Sequence, residues 1–124
     1  MNRVPYIDIH THFRKFNTEN IVVRNVFPGD VFEDFEGCNY YSVGLHPWKI
    51  KTPEENDIML NRIEIALESE HVCFVGECGL DKKVETDFKE QVRVFWLQAI
   101  LAEKYKRPLL IHCVKAYNEF FELH

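Results

Sequence analysis

An α/β fold built on a parallel sheet is what this sequence predicts. Short apolar runs alternate with longer segments of helical periodicity, and turn or capping signals separate them. Neither an internal repeat nor a Gly/Ser-rich linker divides the chain, so residues 1–124 are expected to form one domain. With 46% hydrophobic residues and 28% charged ones, that domain has a core to bury and wholesale disorder is excluded.

The first strand is expected at Tyr6 to His10, short and rich in isoleucine. The second, Ile21 to Phe27, stops at the turn signal Pro28-Gly29-Asp30. Tyr40 to Leu45, Val72 to Gly76 and Leu109 to Cys113 follow as third, fourth and fifth strands, the last entered through Pro108. A helix is signalled after Thr52, which fits the cap, with Pro53 in the first turn and Glu55 placed for a capping box. Met59, Leu60, Ile63, Ala66 and Leu67 give that helix its apolar side. A second helix runs from about Asp87 to Lys104, with Phe88, Val92, Phe95, Ala99 and Ala102 recurring at helical spacing, and Tyr117 to Leu123 reads as a third.

Several function classes fall away on composition. The net charge of −5 argues against a dedicated nucleic-acid binder with a strongly basic face, though not against an enzyme that grips phosphates locally. No stretch approaches the ~18 uncharged apolar residues of a membrane span. The N-terminal residues lack the apolar run of an export signal, so the expected compartment is the cytoplasm. Cys38, Cys73, Cys78 and Cys113 contain no two-residue spacing of a zinc knuckle or redox pair and are expected to be reduced, mostly buried thiols.

Chemistry-bearing residues gather where the strands finish. His10-Thr11-His12 closes the first, and alternate strand residues point to one face, so two imidazoles can converge on one metal ion. His46 follows the third within Gly44-Leu45-His46-Pro47-Trp48. Glu77 follows the fourth, flanked by Gly76 and Gly79 and trailed by Asp81, and a carboxylate emerging from Val-Cys-Phe-Val needs a cation or several donors. His112 sits in the fifth. Any one of these histidines alone reads as a hydrogen-bonded core residue. Together they occupy the carboxyl edge of a parallel sheet, where such folds place ligands. His71 and His124 lie outside the pattern. Arg14, Lys15, Lys49, Lys51, Lys82, Lys83 and Lys115 follow the same strands; they are either solvated loop cations or a rim attracting a phosphate-bearing substrate.

These motifs, in this order, resemble the TatD-type metal-dependent deoxyribonucleases of the amidohydrolase superfamily. The matching segments are IDIHTH at 7–12, SVGLHPW at 42–48, VGECGLD at 75–81 and RPLLIHC at 107–113, with Gln91 and Gln98 fitting as well. The resemblance implies a (β/α)8 barrel and hydrolysis of DNA phosphodiester bonds with one or two divalent ions, zinc, magnesium or manganese. It implies that His10 and His12 bind one ion, Glu77 binds or bridges, and His112 binds the second. His46 and Asp81 match positions near the substrate and join Glu77 as candidate catalytic residues. A related hydrolase of another substrate, or a non-catalytic metal-binding remnant, are the alternatives.

The family pattern goes on to a further histidine and a late aspartate. After His112 these 124 residues offer only His124 and no aspartate. The expectation is therefore a partial TIM-type barrel, about five of eight strands, with a free edge at the fifth strand that promotes self-association, and an incomplete ligand set. Whether the chain is a fragment or a shortened form stays open at this point. No membrane partner is expected; DNA or another phosphate-bearing substrate is.

Overall fold

The computed structural model describes residues 7–11, 21–29 and 40–116, with side chains for 23–29 and 40–116. Five parallel strands form one sheet: β1 (Ile7–Thr11), β2 (Ile21–Val26), β3 (Tyr40–Val43), β4 (Val72–Asp81) and β5 (Leu109–Val114). Their order in space is their order in the chain, so β1 and β5 are the edges of the described sheet. Helix α1 (Pro53–Ala66) links β3 to β4, and α2 (Phe88–Tyr105) links β4 to β5. This is the parallel α/β sheet that the pattern of apolar runs predicts, and it fits the open, partial barrel that the resemblance implies. The expected third helix lies outside the described residues.

Local chemistry sets the helix limits. Thr52 Oγ1 accepts from the Glu55 N–H at 3.2 Å and Pro53 occupies the first turn of α1. Asp87 caps α2 by accepting from the Lys89 N–H at 3.0 Å. At its other end Lys106 adopts the left-handed conformation, φ 56°, and the Arg107 N–H returns to the Ala102 carbonyl at 2.8 Å. Pro108 then releases the chain into β5.

The core lies between the helices and the sheet. Val26, Tyr41, Val43, Val72 and Val75 meet Leu60, Ile63, Leu67, Val94 and Ala102. A smaller cluster of Cys78, Leu80, Phe95 and Ala116 continues it under β5. Of the described cysteines, Cys78 is buried while Cys73 and Cys113 are only partly covered, short of the mostly buried set expected; Cys38 lies outside the described residues. No helix among the described residues is long and apolar enough to cross a membrane.

Helix α2 departs from its expected apolar face. Gln91 and Gln98, two turns apart, are buried at 1% and 0% exposure, whereas Ala99 is only partly covered. Each carboxamide grips one peptide unit twice. Gln98 accepts from the Leu45 N–H at 2.9 Å and donates to the Leu45 carbonyl at 3.1 Å. Gln91 accepts from the Asp81 N–H at 2.8 Å and donates to the Asp81 carbonyl at 3.1 Å. A parallel strand that ends beneath a helix leaves such groups without a sheet partner, and the amides supply one.

The fourth strand runs further than expected, through Asp81 rather than to Gly76. Its pairing with β5 shifts register between Gly76 and Cys78 and then continues from Cys78↔Ile111 to Asp81↔Val114. Gly79 makes this pairing possible: it holds φ +147°, and a Cβ there would collide with the His112 carbonyl oxygen. Glu77 therefore lies within β4 rather than after it. His10 and His112 also sit inside their strands, one and two residues before the ends Thr11 and Val114.

Replacing Gln98 with leucine keeps the volume but strands the buried N–H and carbonyl of Leu45. The expected loss is roughly 2–4 kcal/mol of folding free energy, read as a shift in the urea midpoint at unchanged slope.

Candidate functional site

Four residues meet at the carboxyl side of the sheet. His46 follows β3, where Pro47–Lys49 turn once as a 3-10 helix and the Trp48 N–H donates to His46 Nδ1 at 3.1 Å. That bond leaves His46 Nε2 facing Glu77 Oε1 at 3.5 Å. Gly44 permits the approach, since a Cβ on it would lie 2.5 Å from the Gly76 Cα. The Gly76–Glu77 peptide is cis. His112, from β5, has Nδ1 2.9 Å from the same Glu77 oxygen and Nε2 2.8 Å from Asp81 Oδ2. The rings of His46 and His112 lie 4.5 Å apart.

Asp81 holds this group together from below. Its Oδ2 accepts from the Trp48 indole N–H at 2.7 Å and faces His112, while its Oδ1 accepts from the Lys83 N–H at 2.8 Å. Burial works to raise the proton affinity of this carboxyl, but the bonds from Trp48, His112 and Lys83 outweigh it and keep Asp81 below the usual carboxylate range. His46 is shifted down from the ordinary histidine value, first by burial and then by its neighbour His112, with Glu77 and Asp81 opposing. A neutral imidazole with a lone pair is the form a metal takes.

The donor set fits a divalent ion. Ligating atoms of His46, Glu77 and His112 all lie within 4.8 Å of one another. An imidazole nitrogen 2.9 Å from a carboxylate oxygen shares either a proton or a cation. Asp81 on the far nitrogen of His112 is the carboxylate–histidine pairing that fixes a ligand ring and its tautomer. Of the expected residues, Glu77, His112, His46 and Asp81 are thus brought together. His10 is carried by β1, its side chain outside the described part, and His12 lies outside the described residues altogether. His46, expected near the substrate, lines the cleft and also offers a ligand atom to this group.

A cleft of about 620 Å³ opens above these residues. Arg24, Asn25, Val26 and Phe27 of the β2 end line it, with Gly44, His46, Trp48, Lys49, Gly76, Glu77 and His112. Lys49 belongs to the expected basic rim. Arg24 was not among the residues expected there; its signal is a charged residue inside the apolar run IVVRNVF.

Comparison with known proteins gives a consistent result. Residues 29–124 match the family described as TatD related DNase. The chain is 30% identical over 86 residues to an uncharacterized metal-dependent hydrolase of Haemophilus influenzae, covering 65% of this chain and 33% of that protein. It is 31% identical over 81 residues to the 3'-5' ssDNA/RNA exonuclease TatD of Pectobacterium carotovorum, covering 64% and 30%. The chain thus spans about a third of these two curated relatives. The crystal structure of YJJV, a TatD homologue from Escherichia coli, matches 92% of this chain with 52% of its own, at a TM-score of 0.71 and 23% identity, a likeness of fold.

The depressed proton affinity of His46 has a consequence for stability. The unfolded chain takes this proton near the ordinary value of 6.5, the folded chain only at lower pH. Below that value the unfolded state binds more protons, so stability falls as pH falls, with a slope of at most about 1.4 kcal/mol per pH unit for this one group. Urea midpoints measured with chelator between about pH 7.5 and 5.5 should decline less in His46→Gln than in the parent.

Proposed function

The chain belongs to the TatD-related DNase family, and from that premise we propose that it acts as a metal-dependent hydrolase of phosphodiester bonds in single-stranded nucleic acid, DNA above all. The family is one of metal-dependent hydrolases; the nuclease specificity is the step proposed here. What carries the reading is the junction of His46, Glu77 and His112 at the floor of a cleft whose walls hold Arg24 and Lys49.

Each residue has a physical role in that reading. Glu77, His112 and His46 would hold a divalent ion together with His10 of β1 and His12, which follows β1 in the sequence. The ion supplies Lewis acidity and neutralises phosphate charge. Asp81 orients the His112 ring and accepts its distal proton. Arg24 and Lys49 offer the phosphate a positive wall in a chain of net charge −5, which draws an anion to this edge in preference to the rest of the surface. Cation-lined clefts of this kind exclude little by sequence and grip the backbone, in keeping with the single-strand exonuclease name of the Pectobacterium relative.

Glu77→Ala should weaken manganese or zinc binding about 10- to 100-fold, because the carboxylate faces both imidazoles. Metal content after gel filtration and calorimetric titration reads this directly. Release of nucleotides from a single-stranded oligodeoxynucleotide on addition of the ion, lost in Glu77→Ala, is the expected companion result. Equal metal in the parent and in a His10→Ala, Glu77→Ala double variant overturns the site. Metal binding without turnover on DNA, but with turnover on a phosphomonoester or amide, overturns the substrate.

A further inference from the structure

We propose that Trp48 is a stacking platform for a nucleobase, with Phe27 as a second apolar wall, so that the cleft holds one unpaired nucleotide by its base while Arg24 and Lys49 hold its phosphate. This rests on the nucleic-acid reading of the site and names the subsite that the reading requires.

Four observations converge on it. Trp48 is 58% exposed, the most open position among the aromatic residues that line the cleft. It is nevertheless held rigidly, since its indole N–H is spent on Asp81 Oδ2 at 2.7 Å. The ring also stands edge-to-face with His46 and His112, at centroid separations of 4.9 and 5.7 Å. A tryptophan whose polar atom is satisfied by the protein and whose ring stays in water offers apolar area with the ordering already done. Phe27, 41% exposed, lines the same cleft, with Arg24 three residues before it and Lys49 next to Trp48. Among the described residues the other large exposed apolar side chains, Tyr40 on β3, Ile111 on β5, and Ile58, Ile65, Trp96 and Ile100 along α1 and α2, line no part of this cleft.

Aromatic faces interleaved with cations bind single strands: stacking accepts any base, and the cations follow the backbone. The position is the telling part. Trp48 and His112 share one acceptor atom on Asp81, so a base on Trp48 stands next to the residues that would engage the adjoining phosphate. A paired base is stacked within its own duplex and has no face to give. The cleft therefore selects unpaired ends through the base, without reading its identity.

The test uses the 124-residue chain with a divalent ion and short phosphorothioate oligothymidylates that resist cleavage. Trp96→Phe makes Trp48 the sole indole, since the chain has two tryptophans. The expected result is saturable quenching of Trp48 fluorescence by oligothymidylate, and about 5- to 100-fold weaker binding of an abasic oligomer of equal length and charge. In the otherwise native chain, with binding followed by anisotropy of a labelled oligomer, Trp48→Leu should bind both oligomers equally. Trp48→Phe should keep most of the preference, because it retains a ring and loses only the bond to Asp81. Equal affinity of the parent for base-bearing and abasic oligomers overturns the platform and leaves the nuclease reading standing. Failure of both oligomers to bind overturns the nuclease reading and this inference with it. Loss of the preference in Trp48→Phe as complete as in Trp48→Leu assigns the residue's effect to its bond with Asp81, and the platform falls.

Discussion

The double grip of Gln91 and Gln98 on the peptides of Asp81 and Leu45 is the constraint from which the site follows. A parallel sheet leaves its strand ends to end in loops, and loops drift. Here one rigid helix sets the height of two of them at once. The residue after Leu45 is His46, and the residue gripped by Gln91 is Asp81 itself. Neither group could hold its distance to His112 if α2 slid by a turn. The same helix anchors the stretch after β3 by another route, since Glu90 accepts from Asn56 Nδ2 at 2.8 Å and Asn56 bonds both backbone groups of Lys51.

Charge is distributed to the same end. Glu90 is buried but meets Arg93 through both oxygens, and Arg93 reaches on to Asp57 at 2.8 Å, so the helix interface carries its own compensation. The cleft carries a different balance, with Arg24 and Lys49 above a carboxylate shared by two imidazoles. Negative charge on the floor is what draws a cation, and positive charge on the wall is what draws an anion. The two coexist because Glu77 and the basic groups stand on different elements.

Much of this was legible in the order of residues. The five strands, both helices and the cap of the first follow from apolar runs, Thr52 and Pro53; His46, Glu77 and His112 are singled out by one rule about parallel strand ends, and Asp81 by resemblance. What escaped has a common cause. Glutamine scores as a surface residue, so periodicity alone assigned the inner face of α2 to Ala99 rather than to Gln98; only the unmet hydrogen bonds of Leu45 explain the choice. Gly76 and Gly79 read as allowing close approach, but the strand is expected to stop at Gly76; Gly79 lets β4 continue beside β5. Arg24 and Trp48 are not singled out: a cation in an apolar strand and an aromatic after His-Pro are weak signals, and their shared cleft exists only once β2 and β3 are paired.

Sheet order that equals chain order bears on how such a molecule is made. Each new strand docks on the one synthesised just before it, and no described strand waits for a later one to be inserted between earlier neighbours. A chain emerging from the ribosome at ~5–20 residues per second can grow its sheet by accretion. His46 then arrives before Glu77 and Asp81, and His112 last of all. Until β5 docks, Asp81 stands without an imidazole beside it and Glu77 has only His46. Completion of the fifth strand is the moment at which a growing sheet becomes a site.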